Sequence, residues 1–507
     1  MIDGFLAGLI NTLTPENLLF VLIGCLLGTV VGVLPGLGPA STLAILLPLT
    51  FILPATGSLI MLAGIYYGAM YGGSTTSILL NMPGEAASVP TTIDGFEMTK
   101  QGRAGQALAI AAIGSFMAGI FGAIVISVLG QPLAMFGLSF GPVEYCALIL
   151  FGMASIITFS GASLIKGLLS GSLGILLATV GLDPLTGTPR LSFGSLDLMM
   201  GFDLVAVLIG LFGISEVLSS VNERRAKIYD GKLDAWWRLV PRGRELRSGL
   251  LASARGTLIG YVLGLIPGML AAVTTFIAYD FEKRVSKTPQ RFGRGAIEGV
   301  AAPEAANNAT AMAGFVPLLA LGIPAGPSLA IMLAALLVLG ITPGPALFET
   351  NGLLVWTVIA SMFVANLVLL VLNLPLIKVW AKISQIPYKV LGPIILCMAI
   401  IGAFASRNSM FDVLTAVAFG FVGLLMKRTG IPVTPLILGL LLGPLFEQAL
   451  RQSLAISGGS LGIFATHPIA LSFIVVSIAF VVFSLVGRTR AAKAGKIKDL
   501  AQSEWEG

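Results

Sequence analysis

The stretch GRGAIEGVAAPEAANNATAMAGFVPLLALGIPAGPS, Gly293 to Ser328, holds the polar side chains best able to do chemistry in an otherwise apolar chain. Two carboxylates, Glu298 and Glu304, precede two adjacent amides, Asn307 and Asn308, and a glycine–proline break follows. Pro303 suits the first turn of a helix and would place Glu304 near its positive end. Glu304 then either complements the helix dipole or serves a site. Glu298 lies near basic residues and reads as a partner of Arg291 or Arg294 in a solvated layer. Asn307 and Asn308 are expected to open a small-residue helix leading into GIPAG. An amide in an apolar interior needs partners, supplied by a binding site or by neighbouring helices.

Three further breaks lie inside apolar runs: GVLPGLGPAST (Gly32 to Thr42), GGSTTSILLNMPGEAAS (Gly72 to Ser88) and GLIPG (Gly264 to Gly268). Glycine and proline are the worst residues for an uninterrupted helix. A broken helix frees N–H groups at one half-helix, which suit a carboxylate, and C=O groups at the other, which suit a cation. For any one break, a kink or close helix packing is the simpler reading. Ser74, Thr75, Thr76 and Ser77, with Asn81 beside Pro83, read as first-half counterparts of the asparagine pair. No Lys or Arg lies inside a break, so hydroxyls, amides and helix ends would hold an anion instead of an arginine clamp. Arg255, near the start of its segment, is a further contributor.

The elements that must position these groups are membrane helices. Of 507 residues, 56% are hydrophobic and 11% charged, against about 25% charged in soluble chains. Mean hydropathy is +0.96. Ala107 to Pro142 and Thr429 to Phe446 carry no charge at all. With roughly 20 apolar residues per crossing, about 12 spans are expected, giving an all-α polytopic membrane protein. The basic loop Asn222 to Arg247 and the tail GRTRAAKAGKIKDL read as cytoplasmic, while the first 30 residues hold no Lys or Arg and read as beginning outside. Trp236 and Trp237 fit either a short helix on the headgroups or a soluble loop.

The breaks come in a repeated order. GVLPG recurs as GLIPG, and Pro83 matches Pro324. The linker after the first break, FILPATGS, is uncharged, and the one after the second, DGFEMTKQGRAG, is basic. In the second half the order reverses: FEKRVSKTPQRFGRG is basic and GITPGPALFETNG has no Lys or Arg. This pattern predicts two inverted repeats with broken helices or re-entrant hairpins at Pro35, Pro83, Pro267 and Pro324, a common build of secondary transporters. The expected parts are a first repeat with flanking helices (1–221), a basic cytoplasmic loop (222–248), a second repeat core (249–350), C-terminal transmembrane helices (351–487) and a cytoplasmic tail (488–507).

Several function classes are excluded or disfavoured. Cys25, Cys146 and Cys397 are far apart and read as small buried hydrophobes. His467 is the single histidine, so a histidine zinc site is excluded and no metal is expected. There is no P-loop, dinucleotide fingerprint or nucleophile elbow, and no nucleophile–base pair at useful spacing, so the chain is not read as an enzyme. The basic residues sit in loops and form no nucleic-acid face. The N-terminus lacks the basic region of a cleaved signal peptide. A passive anion channel or uniporter is the alternative to a carrier.

GVLPGLGPAST, YGGSTTSILLNMPGEAAS and GAIEGVAAPEAANNATA…LALGIPAGPS resemble the TctA family, the large membrane subunit of tripartite tricarboxylate transporters, as does LTPENLLF near the N-terminus. The resemblance implies a bacterial inner-membrane permease working with a small membrane subunit of TctB type and a periplasmic solute-binding protein of TctC type. It implies ion-driven uptake of a di- or tricarboxylate such as citrate, coupled to sodium or protons without another cofactor, and an elevator-type movement. Asp280 and Glu304 are the candidates for proton coupling. Carried over as substrate-binding candidates are Gly36, Gly38, Ser41, Gly73, Ser74, Thr75, Thr76, Asn81, Pro83, Gly84, Asn307, Asn308, Gly322, Pro324 and Ser328. One departure stands out: GLIPGMLAAVTTF has Met269 and Leu270 where the family more often has small residues, which predicts a less bulky or less charged substrate.

Overall fold

The computed structural model describes residues 1–34, 37–159, 163–183, 185–220, 239–383, 386 and 388–493. Pro35, Gly36, Trp236, Trp237 and the end of the tail, all singled out from the sequence, lie outside the described residues. Those described are mostly helical, with one short antiparallel hairpin among them, Gly181–Leu182 against Pro189–Arg190. Among them, eight helices are long and apolar enough to cross a membrane, and four shorter apolar helices accompany them.

The first half begins with α1 (Ile2–Thr12) and α2 (Pro15–Gly32). α2 stops where GVLPG begins, and α3 (Pro39–Leu46) restarts behind Gly38 with proline in its first turn. α4 (Ala55–Leu80) runs 26 residues without interruption and ends on Asn81, which adopts the left-handed conformation at φ 57°. α5 (Val89–Lys100) follows the second break, and α6 (Ala104–Gly137) is the longest helix. α7 (Pro142–Phe159) and α8 (Leu164–Ala178) lead out of this half.

The second half has the same sequence of events. α9 (Gly243–Gly264) stops at GLIPG, and α10 (Ala271–Val285) restarts beyond it. α11 (Glu298–Ala313) passes through a joint at Gly314 into α12 (Phe315–Leu321). α12 ends on Gly322 at φ 75°, the same left-handed cap that Asn81 gives α4. α13 (Pro327–Val338) restarts with proline in its first turn. α14 (Gly352–Asn373), α15 (Tyr388–Arg407), α16 (Met410–Thr429), α17 (Val433–Ile456) and α18 (Pro468–Lys493) complete the chain.

Each half is held by one seam of glycines. Gly24, Gly28 and Gly32 on α2 lie against the backbone of Met61, Ile65 and Ala69 on α4. Gly256, Gly260 and Gly264 on α9 lie against Ala302, Ala306 and Thr310 on α11. A Cβ on Gly28 would sit 2.3 Å from the Ile65 carbonyl oxygen, and one on Gly260 would sit 2.3 Å from that of Ala306. Only glycine permits this approach, which membrane helices use because lipid gives apolar side chains no reason to prefer one another. In both seams the residue numbers rise together, so the paired helices run parallel. A returning element must separate them, and the break helices α3 and α10 are those elements.

α6 fixes the two ends of the molecule. Its 34 residues span about 50 Å at about 1.5 Å per residue. At its start, Arg103 pairs with Glu245 at 2.7 Å, and Gln101 Nε2 donates to the Arg294 carbonyl at 2.8 Å. At its other end, Gly130 and Gly137 lie against Phe348 and Pro345. The basic linkers of both halves therefore meet at one end of α6, and the neutral linker after the fourth break meets the other.

Candidate functional site

The two halves join through a ladder of polar contacts between α5 and α11, which run antiparallel. At the outer rung, Asp94 is fully buried and its Oδ1 accepts four backbone N–H groups, those of Gly293, Arg294, Gly295 and Ala296, at 2.8–3.1 Å. Its Oδ2 accepts the Tyr279 hydroxyl at 2.8 Å. Gly293 and Gly295 both have positive φ, which curls their N–H groups around one oxygen as in an anion nest. At the next rung, the Thr91 hydroxyl donates to Glu304 Oε1 at 2.5 Å. At the inner rung, Asn307 Nδ2 donates to Glu85 Oε1 at 2.7 Å.

Glu85 is where the first two breaks meet. Its side chain packs beside Gly73 of α4, and its Cβ lies 4.0 Å from the Cβ position of Gly38, just ahead of α3. Gly84 turns the chain back so tightly that a Cβ there would lie 2.6 Å from Gly73 Cα and 3.1 Å from the Gly32 carbonyl oxygen. The second break thus folds against the end of α2 and the middle of α4. In the second half, the third and fourth breaks touch directly: Gly268 N–H donates to the Ala325 carbonyl at 3.0 Å. α3 packs on α13, and the turn preceding α5 packs on α10. α3 and α13 both begin with Gly-Pro and have no side-chain cap, and nothing lies within 4 Å of a Cβ placed on Gly326.

A family model described as the tripartite tricarboxylate transporter TctA family matches residues 18–438. The chain belongs to the TctA family. It is similar to an uncharacterised 52.8 kDa protein from the TAR-I ttuC′ 3′ region of Agrobacterium vitis, with 44% identity over 494 residues, covering 97% of this chain and 98% of that one. A second Agrobacterium vitis protein, from the TAR-II ttuC′ 3′ region, is 44% identical over 234 residues, covering 46% of this chain and 97% of its own length. No solved structure matches. As a TctA chain, the protein is a multi-pass membrane subunit of a tripartite tricarboxylate transporter.

Within this TctA chain, the structure brings together some of the residues expected from sequence and separates others. Gly38, Gly73, Gly84 and Asn307 meet around Glu85. Ser41 and Ser328 are buried near the starts of α3 and α13. Pro83 and Pro324 lie in the non-helical turns, and Gly322 caps α12. Asn308 points elsewhere, donating to Ser115 of α6 at 2.7 Å. Ser74 and Thr76 spend their hydroxyls on carbonyls of their own helix, Tyr71 and Gly73. Ser74 and Thr75 face a crevice also lined by Tyr71, Leu108 and Asn373. The Asn81 side chain is exposed.

Several expectations are corrected. α11 starts at Glu298, so Pro303 lies inside the helix and not in its first turn. Glu304 is therefore no dipole partner at a helix end, and Asn307 and Asn308 sit in the middle of α11 instead of opening it. Proline is tolerated there because the carbonyl it would clash with belongs to the helix's first turn, where the chain can adjust. The first-half counterparts of the asparagines are not Ser74 to Ser77. The seams align Ala69 with Thr310, which places Tyr66 and Tyr67 at the register of Asn307 and Asn308. Glu298 lies within electrostatic reach of Arg255 and forms no ion pair with Arg291 or Arg294. Arg255 is held by Glu282 at 2.6 and 2.8 Å and is not aimed at a break. Asp280 is exposed and pairs with Arg284. Cys25 and Cys146 are buried as expected, but Cys397 is exposed.

Three residues of the ladder escaped the sequence reading: Glu85, Thr91 and Asp94. Each lies in or beside the quoted second break, yet its partner is about 200 residues away. The GRG turn at Gly293–Gly295 was the one local signal, since two glycines around one residue suit a nest.

Proposed function

We propose that the chain is the permease subunit of a binding-protein-dependent secondary transporter that imports di- or tricarboxylates into bacteria across the inner membrane, driven by a sodium or proton gradient. The two halves are inverted repeats, and one moves against the other in an elevator-type cycle. A TctB-type membrane subunit and a TctC-type periplasmic binding protein complete the system. The observation that carries this reading is the pairing of the breaks. The seams relate the first break to the third and the second to the fourth. Exchanging the halves by that rule turns the α3–α13 contact into the contact between α10 and the turn before α5, and both contacts exist. A two-fold exchange of opposed halves requires this, and it is the build of carriers with a central site.

The substrate carboxylates bind at the starts of α3 and α13. Both helices offer uncapped N–H groups, with open space beside Gly326. Ser41 and Ser328 add hydroxyls in or near the first turns. Met269 and Leu270, at the entry to α10, narrow the approach from the third break.

The test is uptake into proteoliposomes holding this chain and its small partner, given binding protein preloaded with a labelled di- or tricarboxylate. Accumulation above equilibrium that requires an imposed sodium or proton gradient is expected. Equilibration that ignores the gradient would instead establish a channel or uniporter.

A further inference from the structure

The break helices of the two halves are covered unequally. In the first half, α3 is buried from Ser41 to Leu46, beneath α13, α15 and the segment Ile209–Ile214. In the second half, α10 packs one side on α9 and α11 and leaves the other open. Val273, Phe276, Ile277 and Phe281 are exposed, at the spacing of one helical stripe. From Val273 to Phe281 the stripe is about 12 Å long at about 1.5 Å per residue. That approaches the depth of one leaflet, since a hydrocarbon core is about 30 Å thick. α9 carries a similar stripe, with Leu251, Leu258 and Val262 exposed. Arg255 lies on it between Leu251 and Leu258, is 40% exposed and reaches Glu282 of α10, so the two stripes adjoin.

The end of this face nearest the start of α6 is basic. Arg244 and Arg247 on α9, Lys283 on α10, and Lys287 and Arg291 just beyond it are all exposed. Arg255 and Arg284 are paired, with Glu282 and Asp280. The other five form no ion pair among the described residues. An apolar stripe one leaflet deep, with unpaired cations at its polar end, is complementary to a phospholipid of net negative charge. A zwitterionic headgroup would leave those cations unbalanced. A transmembrane helix of a partner presents roughly 20 apolar residues, about 30 Å, and the stripe of α10 is too short to match it.

We propose that the face shared by α9 and α10 binds an anionic phospholipid from the leaflet at the basic end. Its acyl chains lie along Phe276, Ile277 and Phe281, and Lys283 and Lys287 hold its headgroup. The site does not depend on what drives transport. A lipid held there braces α10, which begins just after the third break, and Gly268 of that break touches the fourth.

The test reads lipid binding without transport. Purified full-length chain is delipidated in detergent and titrated with phosphatidylglycerol or phosphatidylethanolamine of the same acyl chains. Retained lipid is read by native mass spectrometry, alongside thermal stability. Wild type should bind phosphatidylglycerol about tenfold or more the tighter, and less tightly as salt rises. Lys283→Gln combined with Lys287→Gln should weaken that binding about 10–30-fold, the strength of two charges beside an anionic surface. Phe276→Ala combined with Ile277→Ala should weaken both lipids alike, because it removes only the acyl contact. Lys378→Gln combined with Lys382→Gln takes two exposed charges from the short helix Ile377–Ile383 and should bind as wild type does. The proposal is overturned if wild type does not prefer phosphatidylglycerol, if the Lys283→Gln, Lys287→Gln variant binds it unchanged, or if the Lys378→Gln, Lys382→Gln control loses as much. Displacement of the bound lipid by a TctB-type subunit would also overturn it, because the face would then belong to that subunit.

Discussion

The two halves share a backbone plan and differ in what they hang on it. α2 against α4 and α9 against α11 are the same glycine seam, and each seam ends at a G-x-x-P-G break. At matching register the first half has Tyr66 and Tyr67, and the second has Asn307 and Asn308. The tyrosines stack with each other and lie tilted against Phe315, at centroid distances of 5.6–6.0 Å. The asparagines reach Glu85 and Ser115. The difference teaches that two like glycine seams carry unlike chemistry. One half supplies an aromatic wall, and the other supplies two amides, of which Asn307 holds it to the second break and Asn308 holds it to α6.

The sharpest way to break the comparison is to cut the joint. Asp94→Ala leaves four backbone donors buried without an acceptor, and at about 1–3 kcal/mol for each unsatisfied group the loss should reach at least about 4 kcal/mol. Little folded protein is expected by size-exclusion chromatography, whereas near-normal yield would mean the halves dock by other means. Next come the seams. Gly28→Val and Gly260→Val should each destabilise at the upper end of about 1–3 kcal/mol, and by similar amounts if the seams are equivalent. Thermal unfolding in detergent checks this, and a loss in one half alone would end the claim of a shared scaffold.

The side-chain asymmetry is tested more gently. Asn307→Ala removes the Glu85 partner and should reduce initial uptake about tenfold, corresponding to about 1.4 kcal/mol. Tyr66→Phe should keep most uptake, because stacking and not a hydrogen bond holds that ring. Equal losses would mean that the two register positions do the same work. Met269→Ala combined with Leu270→Gly should extend uptake to bulkier carboxylates, and an unchanged substrate panel would count against their narrowing role. The smallest effect is expected at Ser74→Ala and Thr76→Ala, within about 0.5 kcal/mol of wild type and with normal uptake.

The breaks were legible in sequence because they depend on local propensity. Glycine and proline stop a helix wherever they fall, and α2, α4, α9 and α12 end where GVLPG, NMPG, GLIPG and GIPAG begin. The polar ladder was not legible. Thr91 and Asp94 look like ordinary helix residues until α5 is laid against α11, and no local pattern encodes that pairing. Pro303 misled for a physical reason, since its favoured first-turn position is a preference and the interior of α11 tolerates it. In the hydroxyl run, Ser74, Thr76 and Ser77 each donate to a carbonyl of the preceding turn. Such side chains in a long apolar helix satisfy themselves on the preceding turn and need no ligand.

If the two halves are inverted repeats, like scaffolds enter the membrane in opposite senses. In a chain with Cys25, Cys146 and Cys397 replaced, single cysteines would be placed at four exposed linker positions: Ile52, Gln101, Thr288 and Thr350. Each would be labelled in intact cells with a membrane-impermeant maleimide. Ile52→Cys and Thr350→Cys should label from outside, while Gln101→Cys and Thr288→Cys should label only after the membrane is opened. Labelling of Ile52→Cys and Thr288→Cys from the same side would contradict it, because equivalent linkers of the two halves would then face the same way.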